Sequence, residues 1–331
     1  MTIYEEVKKI VSPLYMVGGA VRDEILGNVP KDFDFTTPLT PDEIEASIRK
    51  AGRRPYLTGK RFGTLGVKIN GNLIEITTFR NEKYKSGSRK PEVTFVKDIT
   101  ADLSRRDFTI NAIAKTGDRY IDPFGGRKDI QDKIIRCVGK PNERFKEDPL
   151  RMLRVARFAS QLEFEIHPSI YHAVNSMNYK ILQISKERWV AELDKLLLAD
   201  HPEVGLEFLA KTKLLNFILP ELSLQIAYEQ NSPHHNFTLW EHTKRVVLNT
   251  PKEINLRWAG LLHDIGKPFV RTDREDRSNY IKHELLAVEF VTRLALYLKW
   301  SNDRREIIKN LVLHHLEQDS PLKEADEKGK K

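Results

Sequence analysis

Up to about residue 125 the apolar positions come in short runs broken by Gly, Pro, Asn and Asp, and from about residue 142 they recur at the helical period of 3.6. In the first part, PLYMVGG reads as a strand entering a turn, and AVRDEILG as a helix stopped by Gly27. KDFDFTT reads as a strand, and PDEIEASIRKAG as a helix with Pro41 near its start and Gly52 just past its end. GTLGVKI and NLIEITTF flank Asn70-Gly71-Asn72, a hairpin signal. EVTFV and FTINAIA add strand or strand-to-helix material, so an α+β unit with an antiparallel-rich sheet is expected.

In the second part, EDPLRMLRVARFASQLEF sets Leu150, Leu153, Ala156 and Phe158 among evenly spaced arginines, the pattern of one amphipathic helix. Residues 185–222 continue helically to a stop at Pro220, and 239–317 are helical again. The polar break Asn231–His235 suits a domain linker, and the closing KEADEKGKK is polar enough to fray. Trp189, Trp240, Trp258 and Trp300 fall at apolar helical positions and are expected in the core. No functional reading attaches to His167, His172, His201 or the His234-His235 pair.

Composition narrows the setting. The chain has 331 residues, enough for about two domains, with 40% apolar and 31% charged side chains, a globular balance. Its single cysteine, Cys137, excludes an internal disulfide and a cysteine-built zinc site. No apolar run approaches the roughly 20 residues of a membrane span, and MTIYEEVKKI carries acidic residues where a signal peptide is apolar. A cytoplasmic protein with no membrane partner is expected. The net charge of +8 favours a polyanionic partner. Residues 136–158 hold seven basic side chains against three acidic ones, and 80–90 hold five against one.

Candidate chemistry begins at Asp32 and Asp34. Two apart on a strand, they share one face, with Phe33 and Phe35 turned to the core. A divalent cation relieves their repulsion, and Mg²⁺, which combines one or two carboxylates with substrate phosphates, suits the pair. Glu75, on the hairpin strand, could complete a triad. Upstream, Gly18 and Gly19 stand between a strand and a helix, where exposed backbone N–H groups can receive a phosphate. Arg22, one turn in, can add a charged contact.

Five motifs in this order resemble one family. They are GGAVRD, KDFDF, Arg105-Arg106-Asp107 in LSRRDFTINAIA, Asp122-Pro123-Phe124-Gly125-Gly126, and Glu147-Asp148-Pro149-Leu150-Arg151. Together they look like the class II tRNA nucleotidyltransferases, the CCA-adding enzymes and their poly(A) polymerase relatives. The resemblance implies a polymerase-β-like nucleotidyltransferase head over 1–135, an all-α neck and body over 136–230, and a helical domain over 231–331. It implies template-independent addition of CCA to tRNA 3′ ends from CTP and ATP, with release of pyrophosphate. A-only or CC-only addition and poly(A) synthesis are the narrower alternatives.

Asp32 and Asp34 would hold two Mg²⁺ ions, Gly18, Gly19 and Arg22 would meet the triphosphate, and Arg106 and Asp107 would sit by the ribose. Asp148 and Arg151, i and i+3 on one expected helix, would read the amino edge of C or A, with Arg154 and Arg157 taking phosphates. The basic segment RNEKYKSGSRKPE corresponds to the loop that switches the family from C to A.

A second constellation lies near the carboxy terminus. His242, His263, Asp264 and His283, in WEHTKRVV, LLHDIGKP and IKHELL, suit a divalent transition metal. Their order resembles an HD-type phosphohydrolase domain, which implies hydrolysis at RNA ends as a function of another class. His314-His315 follows, and Asp319 is the expected source of the last aspartate. A non-catalytic RNA-binding protein is the third class, and the Asp32/Asp34 pair argues against it.

Overall fold

The structure, a computed structural model, describes residues 2–30, 32–83, 92–231, 237–273 and 278–330. It divides into two units, Met1–Asp148 and Pro149–Lys331.

The first unit runs α1 (Ile3–Ile10), β1 (Tyr15–Val17), α2 (Gly19–Ile25), β2 (Asp34–Thr37), α3 (Pro41–Lys50), β3 (Pro55–Tyr56), β4 (Thr64–Ile69) and β5 (Asn72–Thr78). It continues with β6 (Arg80–Lys83), β7 (Glu92–Phe95), α4 (Ile99–Ser104), β8 (Ala114–Thr116), β9 (Arg119–Ile121), α5 (Gly126–Gln131), β10 (Ile134–Ile135) and α6 (Pro141–Glu147). Local sequence explains most of these boundaries. Thr40 and Glu43 form a reciprocal capping box around Pro41, which starts α3. Asn70 and Gly71 both take positive φ, 49° and 84°, the turn that joins β4 to β5.

The main sheet has the order β3-β4-β5-β2-β1-β8-β9. All neighbours are antiparallel except β2 and β5, which run parallel. Phe35, Ile44, Ile48, Leu65, Val67, Ile69 and Ile76 are fully buried around it. β6 and β7 pair as a separate ribbon.

The second unit is helical: α7 (Arg151–Leu162), β11 (Glu165–Ile166), α8 (Pro168–Met177), α9 (Lys186–Leu197), α10 (Pro202–Lys211), α11 (Leu215–Ile218) and α12 (Pro220–Ser223). After these come α13 (Leu239–Asn249), α14 (Ile254–Leu262), β12 (Thr272–Asp273), β13 (Ser278–Asn279), α15 (His283–Leu298), α16 (Asn302–Leu313) and α17 (Lys323–Gly329). Trp189 and Trp258 are fully buried and Trp240 nearly so, whereas Trp300 is half-buried, edge-on to Trp258 at 4.9 Å between centroids.

Four expectations are corrected. Asp32 precedes the strand, which begins at Asp34, and Phe33 is half-buried while Phe35 is fully buried. Residues 147–164 are not one helix. Asp148 is extended (φ −141°, ψ 102°) because Pro149 disfavours the helical conformation in the residue before it, and α7 starts only at Arg151. α11 does end at Ile218, just before Pro220, but the helical run does not stop there: Pro220 opens α12, since proline suits the first helical position. The charged end does not fray: it forms α17, with Leu322, Ala325, Asp326 and Gly329 buried along one face.

Candidate active site

The sheet register brings the sequence-distant parts of the first site together. Asp34, the first residue of β2, lies opposite Val17 in β1 and opposite Glu75 in β5. Val17 leads directly into Gly18 and Gly19 at the start of α2. Asp32, Asp34 and Glu75 line one open cleft of about 480 Å³ with Phe33, Asn72, Leu73 and Ile74. Asp34 is exposed as a residue, but desolvation of its carboxyl raises it above its ordinary pKa, the opposing charge of Arg106 pulls it down, and Asp32 pushes it up again. Three carboxylates thus line one cleft, oxygen donors of the class that hard divalent cations take.

The glycine turn is dictated by what lies beside it. Gly18 has φ 73°, and a Cβ there would stand 3.1 Å from Arg106 Nη1 and 3.7 Å from Asp34 Oδ2. Arg106 is supported from behind by Asp102, a carboxylate with no exposure whose Oδ2 is 3.7 Å from Arg106 Nη2. Asp102 Oδ1 accepts from Arg105 Nε and Nη2 at 3.0 and 2.9 Å and from the Arg80 backbone N–H at 3.1 Å. Sequence reasoning passed over Asp102, although its position four residues before Arg106 on a short helix was a usable signal.

Arg22 is buried on the other side of Gly19. Its Nη1 donates to Asn111 Oδ1 at 2.8 Å, and its Nε and Nη2 donate to Asp23 Oδ1 at 2.9 and 2.6 Å. Asp107, also buried, accepts at Oδ1 from the Phe108 backbone N–H at 2.8 Å. The structure therefore gathers Asp32, Asp34, Gly18, Gly19, Arg22, Arg106 and Asp107 within the first unit.

Asp148 is the last residue of that unit, and Arg151, the first residue of α7, belongs to the other. Arg151 and Arg157 are buried on α7. Arg157 Nε stands 2.9 Å from Glu192 Oε2, and its guanidinium covers the Phe158 ring at 4.1 Å, so its charge is met inside its own unit. Arg154 lies over the same ring at 5.6 Å. Most of the basic loop, residues 84–91, and the His234-His235 pair lie outside the described residues.

The second constellation assembles completely and is larger than expected. His242 on α13, His263 at the end of α14 and Asp326 on α17 bring one ligand atom each within 4.8 Å of one another, as do Asp264, His283 and His315. Asp264 joins the two sets: its Oδ2 is 3.1 Å from His263 Nε2 and 3.3 Å from His242 Nε2, and its Oδ1 is 3.1 Å from His283 Nε2. Facing Nε2 atoms stand 3.2 Å apart between His242 and His263 and 3.3 Å apart between His283 and His315.

Three of the rings are oriented by backbone. Nδ1 of His263, His283 and His315 donates to the carbonyls of Gly260, Tyr280 and Val312 at 2.8, 2.7 and 2.6 Å, which turns the Nε2 lone pairs inward, as in metal sites. A Cβ on Gly266 would lie 2.3 Å from the His283 carbonyl, so this glycine lets the HD loop reach α15. Burial would raise the Asp264 carboxyl, but His263, Lys267 and hydrogen bonding from His242 hold it well below its ordinary value. His315 is pushed to about 4 by burial and by the neighbouring charge of His263, so it is a neutral donor at physiological pH. Imidazole and carboxylate donors of this kind fit divalent transition metals.

Asp326 replaces the expected Asp319, which is exposed. The signal for it was the spacing Leu322, Ala325, Asp326, Gly329 (i, i+3, i+4, i+7), hidden in a run of charge. His315 was noticed in sequence but given no role, because nothing local separates it from half-buried His314.

Three family models match the chain in order. They are the poly A polymerase head domain over residues 14–136, the probable RNA and SrmB-binding site of polymerase A over 163–225, and the HD domain over 237–328. The CCA-adding enzyme of Staphylococcus epidermidis is 39% identical over 263 residues, 77% of this chain and 64% of that protein. That of Pediococcus pentosaceus is 44% identical over 202 residues, 60% of this chain and 50% of that protein. The chain thus spans between half and two thirds of these relatives' lengths. A crystal structure of the Bacillus stearothermophilus CCA-adding enzyme in complex with CTP superposes with TM-score 0.67 at 29% identity, covering 99% of this chain and 79% of that one. A CCA-adding enzyme in an apo form superposes with TM-score 0.65 at 24% identity, covering 96% and 78%, a likeness of fold. Among the described residues no helix is long and apolar enough to cross a membrane. By these matches and by the ordered motifs in its first unit, the chain belongs to the family of class II tRNA nucleotidyltransferases and poly(A) polymerases, with an HD-type domain in its second unit.

Proposed function

We propose that this chain adds CCA to tRNA 3′ ends from CTP and ATP and releases pyrophosphate, acting in the cytoplasm. The observation that carries the reading is the register that sets Asp34 between Glu75 and the Gly18 turn, with Arg106 beside both. In this reading residues 1–135 are the catalytic head, 136–230 the neck and body that read the base and bind RNA, and 231–331 the HD domain. Asp32 and Asp34 hold Mg²⁺, which when bound neutralises the triphosphate and acidifies the attacking 3′-hydroxyl. Gly18, Gly19 and Arg22 receive the triphosphate at the helix start. Arg106 and Asp107 meet the ribose. Asp148 accepts from the exocyclic amine of C or A, and Arg151 donates to the adjacent ring nitrogen and carbonyl. Arg154 takes a phosphate contact, and Arg157, paired with Glu192, steadies α7 beneath it. Catalysis is then chiefly positioning and electrostatic stabilisation.

The test offers three tRNAs, ending at the discriminator base, at C and at CC, with CTP, ATP or both. Growth of all three to CCA supports the reading. Extension of the CC-ended tRNA alone replaces it with A addition, and a stop at CC replaces it with CC addition.

A second reading rests on the six buried ligands of the second unit. This centre is a divalent-metal phosphohydrolase site acting on RNA ends, independent of the head. Release of phosphate from 3′-phosphorylated RNA that persists in Asp34→Asn and disappears in Asp264→Asn supports it. Loss of that release in Asp34→Asn, or none in the wild type loaded with Mn²⁺, removes it.

A further inference from the structure

Asn111 is a buried amide to which neither the motifs nor the family resemblance gave a role. It lies in the 3₁₀ turn Thr109–Asn111 that follows the Arg106-Asp107 pair. Its two polar atoms face two different parts of the nucleotide site. Oδ1 accepts from Arg22 Nη1 at 2.8 Å, and Nδ2 donates toward Asp107 Oδ1 at 3.4 Å. The orientation is chemically forced, since a guanidinium only donates and a carboxylate only accepts. No other uncharged side chain of this size presents an acceptor and a donor in that order, and a charged one would clash with one neighbour or the other.

We propose that Asn111 is a positioning residue for sugar selection, tying the arginine assigned to the triphosphate to the carboxylate assigned to the ribose. The proposal rests on the nucleotidyl-transfer reading above and deepens it. Arg22 arrives from α2, whereas Asp107 arrives 85 positions later from the segment after α4. Asn111 is the side chain that holds both. Movement of Arg22 toward a bound triphosphate is therefore transmitted to Asp107, and the site distinguishes a ribose from a deoxyribose only when the phosphates are seated. Arg22 is additionally held by Asp23, so loss of Asn111 leaves that brace in place and removes the contact that joins Nη1 to the Asp107 side.

The experiment compares CTP with dCTP as substrates for a tRNA transcript ending at the discriminator base. It uses the wild type, Asn111→Asp, Asn111→Ala and Asp107→Asn. Asn111→Asp keeps an acceptor for Arg22 but sets a second carboxylate against Asp107, and Asn111→Ala removes both contacts. The ratio of kcat/KM for CTP over dCTP is internal to each preparation, so partial unfolding lowers both rates alike and leaves it unmoved. The expected result is a fall in that ratio of about tenfold or more in both Asn111 variants, carried by the KM for CTP, approaching the ratio of Asp107→Asn. An unchanged ratio in both Asn111 variants, with Asp107→Asn reduced, overturns the positioning role and leaves the transferase reading intact. Failure of the wild type to incorporate CTP overturns the reading itself, and the proposal with it.

Discussion

Asp34 is under opposing demands that follow from its place in the sheet. It must be ionised to serve as a cation ligand, yet desolvation and Asp32 both favour its neutral form. Sites built this way trade stability for function. Asp34→Asn is therefore expected to reduce nucleotide addition by about a hundredfold or more, while the melting temperature stays level or rises and tRNA retention on a filter is kept. Activity within tenfold of wild type contradicts the metal assignment. Arg151 offers a different readout. If it matches the donor–acceptor order of C and A, Arg151→Ala should raise UTP and GTP incorporation relative to CTP by about tenfold, since a mismatch then leaves fewer buried polar groups unpaired. A uniform loss of rate across all four nucleotides, with the preference order unchanged, would retire its role in base reading. Residues of this kind are legible where the chemistry is local in sequence. Asp32 and Asp34 are two apart, Gly18 and Arg22 four apart, and the chain itself holds each pair together. Asn111 and Asp102 each have a near partner, Asp107 and Arg106, but the contacts that give them a role, with Arg22 and with the Arg80 N–H, come from distant segments.

Among the elements, α17 departs furthest from expectation. Its seven residues, KEADEKG, include five charged side chains and no large apolar one, so no hydrophobic period singles it out, although Ala, Glu and Lys favour a helix. It forms because small residues allow close packing on α13 and because Asp326 closes the ligand set with His242 at 3.2 Å. The account predicts that Mn²⁺ stabilises the second unit, as any ligand of the native state alone must do. An ion at a hundredfold its Kd contributes about 2.7 kcal/mol, a rise of roughly 5–10 °C in the transition that melts the second unit. Differential scanning calorimetry should show most of that rise lost in Asp326→Ala and kept in Asp319→Ala. The reverse pattern would return the last ligand to Asp319. The break at Pro149 is the other element-level departure. Leu150, Leu153, Ala156 and Phe158 are all buried, as their spacing implied, but periodicity ran through a residue whose backbone proline restricts. A pre-proline signal and a helical period competed, and the covalent restriction prevailed.

At the scale of the molecule, the order of the parts was legible because each family motif belongs to a turn or strand end whose local chemistry is strict. The hairpin at Asn70-Gly71, the α+β head and the all-helical remainder all follow from periods and turn residues. The strand order β5-β2-β1 did not, since a parallel β2-β5 pair requires a long-range crossover that no window of sequence displays. Yet that order is what sets Glu75 beside Asp34 and carries the glycine turn to the same edge. The same holds for the second unit, where six ligands come from five separate segments between residues 242 and 326.

The most direct test of the whole account is a single extension assay on tRNAs ending at the discriminator base, at C and at CC, each with CTP and ATP together in Mg²⁺. The account predicts that all three converge on the same CCA-ended product and that none grows beyond it. No extension of any of the three, or an untemplated tail running past CCA, would contradict it.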